Sequence, residues 1–231
     1  YHLICDAQNT EAVDLLRRRK NRPDKPFAVM LPEPQSDVPG QSWLDNCVVV
    51  NSQDKALLSS PIRPILLAPK KRNAPIAENV APMLSDLGVM LPCSGLHLML
   101  MKQFNRPMIA TSGNEYGEPM VTSTSSAQQQ LSMLADFFVH HNRDICHKLD
   151  DSVLRTVMSG AIPFRLGRGL SPLELTLPYD VEEPLLAVGA NQKNTVSFAW
   201  KNRLVVTPHI GDLDSPIMQA HFEKCISDFQ D

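Results

Sequence analysis

The sequence lacks most of the patterns that announce a particular chemistry. Its five cysteines, Cys5, Cys47, Cys93, Cys146 and Cys225, are scattered and form no CxxC pair. That argues against a disulfide framework or a zinc ribbon and reads as reduced cytosolic thiols, so a cytoplasmic location is expected. There is no GxxxxGK[ST] loop, no GxSxG or HExxH element and no Ser-His-Asp motif, which sets aside a P-loop, a hydrolase nucleophile and a zincin centre. No apolar run approaches 18 residues, so no membrane span is expected. YHLICDAQNT at the N-terminus has neither a basic region nor a long apolar core and is not a signal peptide. A net charge of −3 gives no overall pull toward nucleic acid or an anionic membrane.

What is present is an ordinary soluble composition: 231 residues, 43% hydrophobic and 20% charged, enough for one large domain or one and a half average ones. Tyr1 stands directly before an apolar run with no Met, and FEKCISDFQD ends without a stop signal. Both ends read as cut from something longer. Asn9 or Thr10 can cap a helix through EAVDLLRRR, ended by Pro23. Apolar strands are expected at 27–31, 64–68, 87–92 and 107–110. Helices are expected at 95–104, with Leu96, Met99, Leu100 and Phe104 as the apolar face, and at 125–135. DFFVHH (136–141) suggests a strand, and 152–166 a hairpin turning at Ser159-Gly160. The mixture predicts an α/β layer domain with a twisted, mixed sheet and flanking helices. LSPLELTLPYDVEEP, with three prolines and four carboxylates, reads as a linker over 171–185. Beyond it, strands and tight turns suggest the first hairpins of a second domain.

Five stretches can carry chemistry. In RRRKNRPDKP, the cations Lys20, Arg22 and Lys25 either complement a helix C-terminus or form an anion site. An extended Lys-x-Arg places two cations on one side of the chain, a geometry that suits phosphate oxygens. PMIATSGNEYGEP begins as a buried strand and turns abruptly into small polar residues. It is either a plain turn or a place where an anion meets backbone N–H groups, with Ser112 and Asn114 adding side-chain hydrogen bonds. HHNRDICHKLDDSVLR holds three histidines and Cys146 but matches no zinc spacing, so no metal site is assigned there. Asp150 and Asp151, near Arg143 and Arg155, are either structural or organise a nucleotide's Mg2+. Arg165 and Arg168 in RLGRG are surface charges or anion contacts. GANQKNT, followed by HIGDL, is a hairpin turn or a phosphate-holding turn through Lys193, Asn194 and Thr195.

In order, CDAQNTEAVDLLRRRKNRPDKPFAVM, LGVMLPCSGLH, ATSGNEYGEP, HNRDI…DDSVLR, FRLGRGLSP, GANQKNT and HIGDL resemble the HypF-type carbamoyltransferases of [NiFe]-hydrogenase maturation. The resemblance spans nearly the whole chain. Residues 1–170 resemble a YrdC-like domain without its first strand and helix. Residues 186–231 resemble the opening of an ASKHA-type transferase domain. Three departures stand out: Arg165-Leu166-Gly167-Arg168 where the family usually has adjacent arginines, Tyr116 for a usual Ser, and Gln192 for a usual Leu.

The resemblance implies an ATP-dependent enzyme. Carbamate derived from carbamoyl phosphate attacks ATP, and carbamoyl-adenylate and pyrophosphate result. The carbamoyl group then passes to the C-terminal cysteine of HypE on the way to a cyanide ligand. The family's motifs fall on Lys20 and Arg22 as catalytic residues and on Ser112 and Asn114 as phosphate ligands. Lys25, Arg165 and Arg168 are further expected phosphate contacts. ATP with Mg2+ is expected as substrate, and no zinc within this stretch. An alternative is a double-stranded RNA-binding module, and a third is an inactive remnant.

Overall fold

A computed structural model of the chain describes residues 1–35, 40–158 and 160–228. Among these, seven strands form one sheet: β1 (His2–Asp6), β2 (Ala28–Met30), β3 (Ile65–Pro69), β4 (Asp86–Met90), β5 (Met108–Ser112), β6 (Val153–Val157) and β7 (Gly160–Arg165). Their spatial order is β1-β5-β2-β4-β3-β6-β7. β2 pairs parallel to β4, and β3 parallel to β6; the other pairs are antiparallel. The sheet is therefore mixed, in agreement with the expected α/β class.

Both faces of the sheet are covered, which is why FAVML and PMIA are continuously apolar instead of alternating. On one face Val29, Leu66, Val89 and Ile109 pack with Val13 and Leu16 of α1 (Thr10–Arg19), Leu44 of α2 (Trp43–Cys47) and Leu58 of α3 (Ser52–Ser59). On the other, Met30, Met90 and Met108 meet Met101 of α4 (Gly95–Phe104). Val29 and Met30 face opposite ways because successive strand side chains alternate.

Local signals place the boundaries. The Asn9 side chain accepts from Ala12 N and caps α1. The helix stops at Lys20, and Asn21 adopts a left-handed φ of 47°. α5 (Thr124–Gln130) is capped by Ser123 and is shorter than expected. Residues 136–141 form no strand; Phe137 and Val139 are exposed. Their β-propensity finds no neighbouring ladder to join. In α4 the expected apolar face is also corrected. His97 and Met101 are buried and the expected Phe104 packs on the core beside Met101, while Leu96, Met99 and Leu100 are exposed. His97 makes polar contacts beneath the helix and sets its rotation. Of the turn expected at Ser159-Gly160, Ser159 lies outside the described residues.

The second segment has its own small sheet. β8 (Leu173–Ala187) pairs antiparallel with β9 (Ser197–Val206), and α6 (Pro216–Ser227) follows. The stretch expected as a linker is thus mostly strand. Pro172 precedes the strand, and Pro178 and Pro184 fall where the register shifts, between Thr176 and Val181 and between Val181 and Leu185. A proline has no N–H for the ladder, so the pairing breaks there and resumes beyond it. Val196, Ile210 and Met218 form a separate small core.

Candidate functional site

Lys20, at the C-terminal end of α1, is only 4% exposed. Its Nζ donates to Ser112 O at 2.9 Å, Asn114 O at 2.8 Å and Asn114 Oδ1 at 2.9 Å. Ser112 Oγ donates to the same Oδ1 at 2.6 Å, and Asn114 Nδ2 donates to Glu118 O at 2.6 Å. Two segments 92 positions apart meet at one ammonium group. The strand ends in small residues because a cation comes up against its backbone. Burial pulls the Lys20 pKa down to about 8; Arg22 adds to the shift and Asp150 opposes it.

Two expectations change. The three ammonium hydrogens are all taken by protein acceptors, so Lys20 fastens the turn and offers the cleft its charge. The N–H groups of Gly113 and Asn114 donate to Tyr1 O and Ser112 O, so they are not an open anion cradle.

Arg22 lies 5.2 Å from the Phe27 ring centroid and donates through Nη2 to Pro26 O at 2.7 Å. Burial pushes its pKa down to about 10, and Arg165 and Arg17 add to the shift. Arg165 ends β7 opposite Val153; its side chain makes no hydrogen bond or ion pair among the described residues. Lys25 Nζ stands 5.7 Å from the ring centroid of Tyr116, the residue that replaces the family's usual Ser. A wall of like charges close enough to repel one another is a place where an anion is stabilised.

Arg17 was missed by sequence reasoning. It sits on α1 among three consecutive arginines, yet it is 7% exposed. Its guanidinium donates to the carbonyls of Asn79, Arg22, Pro23, Lys25 and Val80. It shapes the loop that carries Arg22 and Lys25.

Asp150 and Asp151 form the opposite wall, and their partners differ from those expected. Asp151 accepts from Arg168 through Oδ1, at 3.1 and 2.9 Å, and contacts His2 Nε2 at 2.8 Å through Oδ2. Burial alone would raise its carboxyl; His2 and Arg168 draw it down to about 2. Asp150 Oδ2 lies 2.8 Å from His209 Nδ1. Arg155 instead pairs with Asp86. With both Asp151 oxygens committed and one of Asp150's, this pair does not fit a Mg2+ site. Arg168 is also committed elsewhere: beyond Asp151, it donates to Ile62 O and Arg63 O, and it does not line the cleft. Beneath this wall a chain of contacts runs from His2 Nδ1 to His97 Nε2 at 3.3 Å and from His97 Nδ1 to Cys93 Sγ at 3.3 Å. Burial, and then His2, lowers the His97 pKa to about 4. No spacing signal in the sequence could have found these contacts. His140, His141, Cys146 and His147 stay exposed. Among the described residues no group of three or more His, Cys, Asp or Glu is arranged to hold a metal ion.

The walls enclose a cleft of about 280 Å3. Lys20, Arg22, Lys25, Ser112, Asn114 and Arg165 line it, as do Asp150 and Asp151. The second segment contributes Lys193, His209 and Asp212. Lys193 Nζ is held by both Asp212 oxygens, at 2.8 and 3.0 Å. Asn194 is buried and donates to Val188 O and Ala190 O. It holds its own turn, and neither it nor Thr195 lines the cleft.

Comparison with known proteins gives this geometry a family. Residues 1–167 match the Sua5/YciO/YrdC family model, described as "Telomere recombination", and residues 180–231 match the HypF Kae1-like domain. The carbamoyltransferase HypF of Synechocystis sp. is 40% identical over 227 residues, which is 98% of this chain and 29% of that protein. The HypF of Rhodobacter capsulatus is 36% identical over 99% of this chain and 30% of its own length. A crystal structure of full-length HypF in a phosphate- and nucleotide-bound form superposes with a TM-score of 0.92 at 35% identity, covering 99% of this chain and 35% of that one. P. abyssi Sua5 shares the fold, with a TM-score of 0.61 at 19% identity over 72% of this chain and 47% of that one. The chain spans under a third of the length of these curated HypF relatives. It belongs to the Sua5/YciO/YrdC family and is a homologue of the HypF carbamoyltransferases.

Proposed function

We propose that the cleft binds ATP and forms carbamoyl-adenylate as one step of carbamoyl transfer in [NiFe]-hydrogenase maturation. A carbamate oxygen attacks the α-phosphorus, the bond from that phosphorus to the bridging oxygen breaks, and pyrophosphate leaves with the electron pair. The negative charge that builds on the phosphate oxygens is what the chain must stabilise. Arg22, Lys25 and Arg165 would meet it directly, with Lys20 supplying charge from behind the turn. Ser112 Oγ and Asn114 Nδ2 would orient the triphosphate as donors, exchanging their contacts with Asn114 Oδ1 and Glu118 O for contacts with ligand. Mg2+ would arrive with the nucleotide. We assign adenylation to residues 1–170 and the start of the ASKHA-type transferase unit to residues 186–231, with transfer to the terminal thiol of a HypE-type partner following in the complete protein.

The observation that carries this reading is the meeting of Lys20, Arg22, Ser112, Asn114 and Arg165 in one cleft. The relatives are named for carbamoyl transfer, and nothing about the cleft favours the double-stranded RNA reading. The test is carbamoyl-phosphate-dependent ATP–pyrophosphate exchange by the full-length protein. Arg165→Ala is the informative variant, because the Arg165 side chain donates no hydrogen bond to another described residue and acts on Asp150 only through its charge. A charge-assisted hydrogen bond to phosphate is worth about 1.5–3 kcal/mol, so ATP binding should weaken about 10- to 150-fold with the melting temperature unchanged. Unaltered ATP affinity in this variant, or wild-type protein without exchange, would overturn the proposal.

A further inference from the structure

His209 comes from the second segment and is joined to the first at two points. Its backbone N–H donates to Leu166 O at 2.7 Å, and its Nδ1 lies 2.8 Å from Asp150 Oδ2. The side chain is 10% exposed and lines the cleft. Nε2 is buried and has no hydrogen-bond partner. A carboxylate only accepts, so Nδ1 carries a proton, and in the neutral form of the ring Nε2 presents a lone pair. A buried, unpaired acceptor is unfavourable unless something completes it. Whatever does so must donate a hydrogen.

Phosphate and carboxylate oxygens are the wrong chemistry for this position. They carry no proton at neutral pH, and the Asp150 carboxylate beside the ring repels them. Asp150 is also an electrostatic neighbour of Lys20 and Arg165, so the ring stands at the phosphate end of the cleft, where the acyl group would react. We infer that His209 is a specificity residue: its Nε2 accepts a hydrogen bond from the amide N–H of the carbamoyl group, and Asp150 positions the ring for that contact. This rests on the adenylation proposal and adds to it the means of telling a carbamate from a carboxylate that has a methyl in place of the amide.

The test supplies carbamate, as the ammonium salt, or acetate to the full-length protein and compares kcat/KM for ATP–pyrophosphate exchange. His209→Asn places an amide near the Nδ1 position, keeps a donor for Asp150 and removes the Nε2 contact. His209→Gln places an acceptor near the Nε2 position and gives up the Asp150 contact. The preference for carbamate over acetate should fall about 2- to 12-fold in His209→Asn, the range for one neutral hydrogen bond. It should be better kept in His209→Gln, with the ATP Kd of His209→Asn near that of the wild type. A merely structural histidine would give the opposite order, with His209→Gln the more damaged. Unchanged selectivity in His209→Asn, or a loss confined to ATP affinity, refutes the assignment alone. A wild type that exchanges pyrophosphate with neither acid refutes the adenylation proposal and this assignment with it.

Discussion

Arg17→Ala should destabilise the protein severely while leaving every cleft-lining side chain in the sequence. The guanidinium is buried and serves five backbone carbonyls, two from Asn79 and Val80 and three from the loop 22–25. Truncation strands these acceptors, and the methyl of Ala admits little water to replace the donors. Each stranded acceptor costs about 1–3 kcal/mol when it cannot be rehydrated. Partial relaxation of the loop recovers some of that, so the net loss should resemble that of breaking a buried charged network, about 3–5 kcal/mol. At about 2–4 °C per kcal/mol for a protein of this size, the melting temperature should fall by roughly 6–20 °C. Arg17→Lys should rescue little, because an ammonium has three donors in place of a five-donor fork. Thermal unfolding followed by circular dichroism reads the effect. A fall under about 2 °C for Arg17→Ala would show that the loop does not depend on this residue, and the account of its packing would be wrong.

Two further outcomes follow from the same geometry. Gly167→Ala should lose about 1–3 kcal/mol, as overpacking does, because its Cβ would stand 2.2 Å from Asp150 O; unchanged denaturant midpoints would contradict the close approach. The Lys20 pKa, about 8 when folded against about 10.4 unfolded, means that the unfolded chain holds more protons between those values. The Lys20 contribution to stability therefore rises as pH climbs from 8 to 10. The wild type should gain on Lys20→Met over that window in urea titrations, while its ATP affinity falls as the charge is lost.

The parts of the site that were legible in the sequence are those written in local spacing. Lys-x-Arg and Ser-x-Asn stand two residues apart in each segment, and each segment follows a recognisable helix or strand. What lay outside such spacing was not legible. Arg17 and Arg18 look alike as letters, and only the packing of 79–80 against α1 decides which is buried. The rotation of α4 follows from His97 reaching His2 and Cys93, contacts that link residues 95 and 4 positions apart; apolar periodicity alone chose the wrong face. β8 was hidden because prolines and carboxylates count against a strand in any local scale, whereas its pairing with β9 includes Glu174 and skips Pro178, Asp180, Glu182, Glu183 and Pro184.

These differences change what each residue of the cleft can be used to prove. The stretch Met108–Ser112 ends in small polar groups because the Lys20 ammonium is packed against its last carbonyls. That contact joins α1 to β5, so it belongs to the fold as much as to the site. Removing Lys20 takes away a charge from the cleft and three donors from the turn at once, and a loss of activity there cannot be divided between the two. Arg165 is the opposite case, a cation that β7 carries to the cleft and whose side chain donates no hydrogen bond within the described chain, acting on Asp150 only through its charge. His209 lies between them: its Nδ1 is spent on Asp150 and its Nε2 on nothing. Binding and folding are therefore separable at Arg165, separable by choice of amide at His209, and inseparable at Lys20. A family motif built around Lys20 marks where the cleft is, and the side chains with unused hydrogen-bonding capacity are where the proposed binding can be tested.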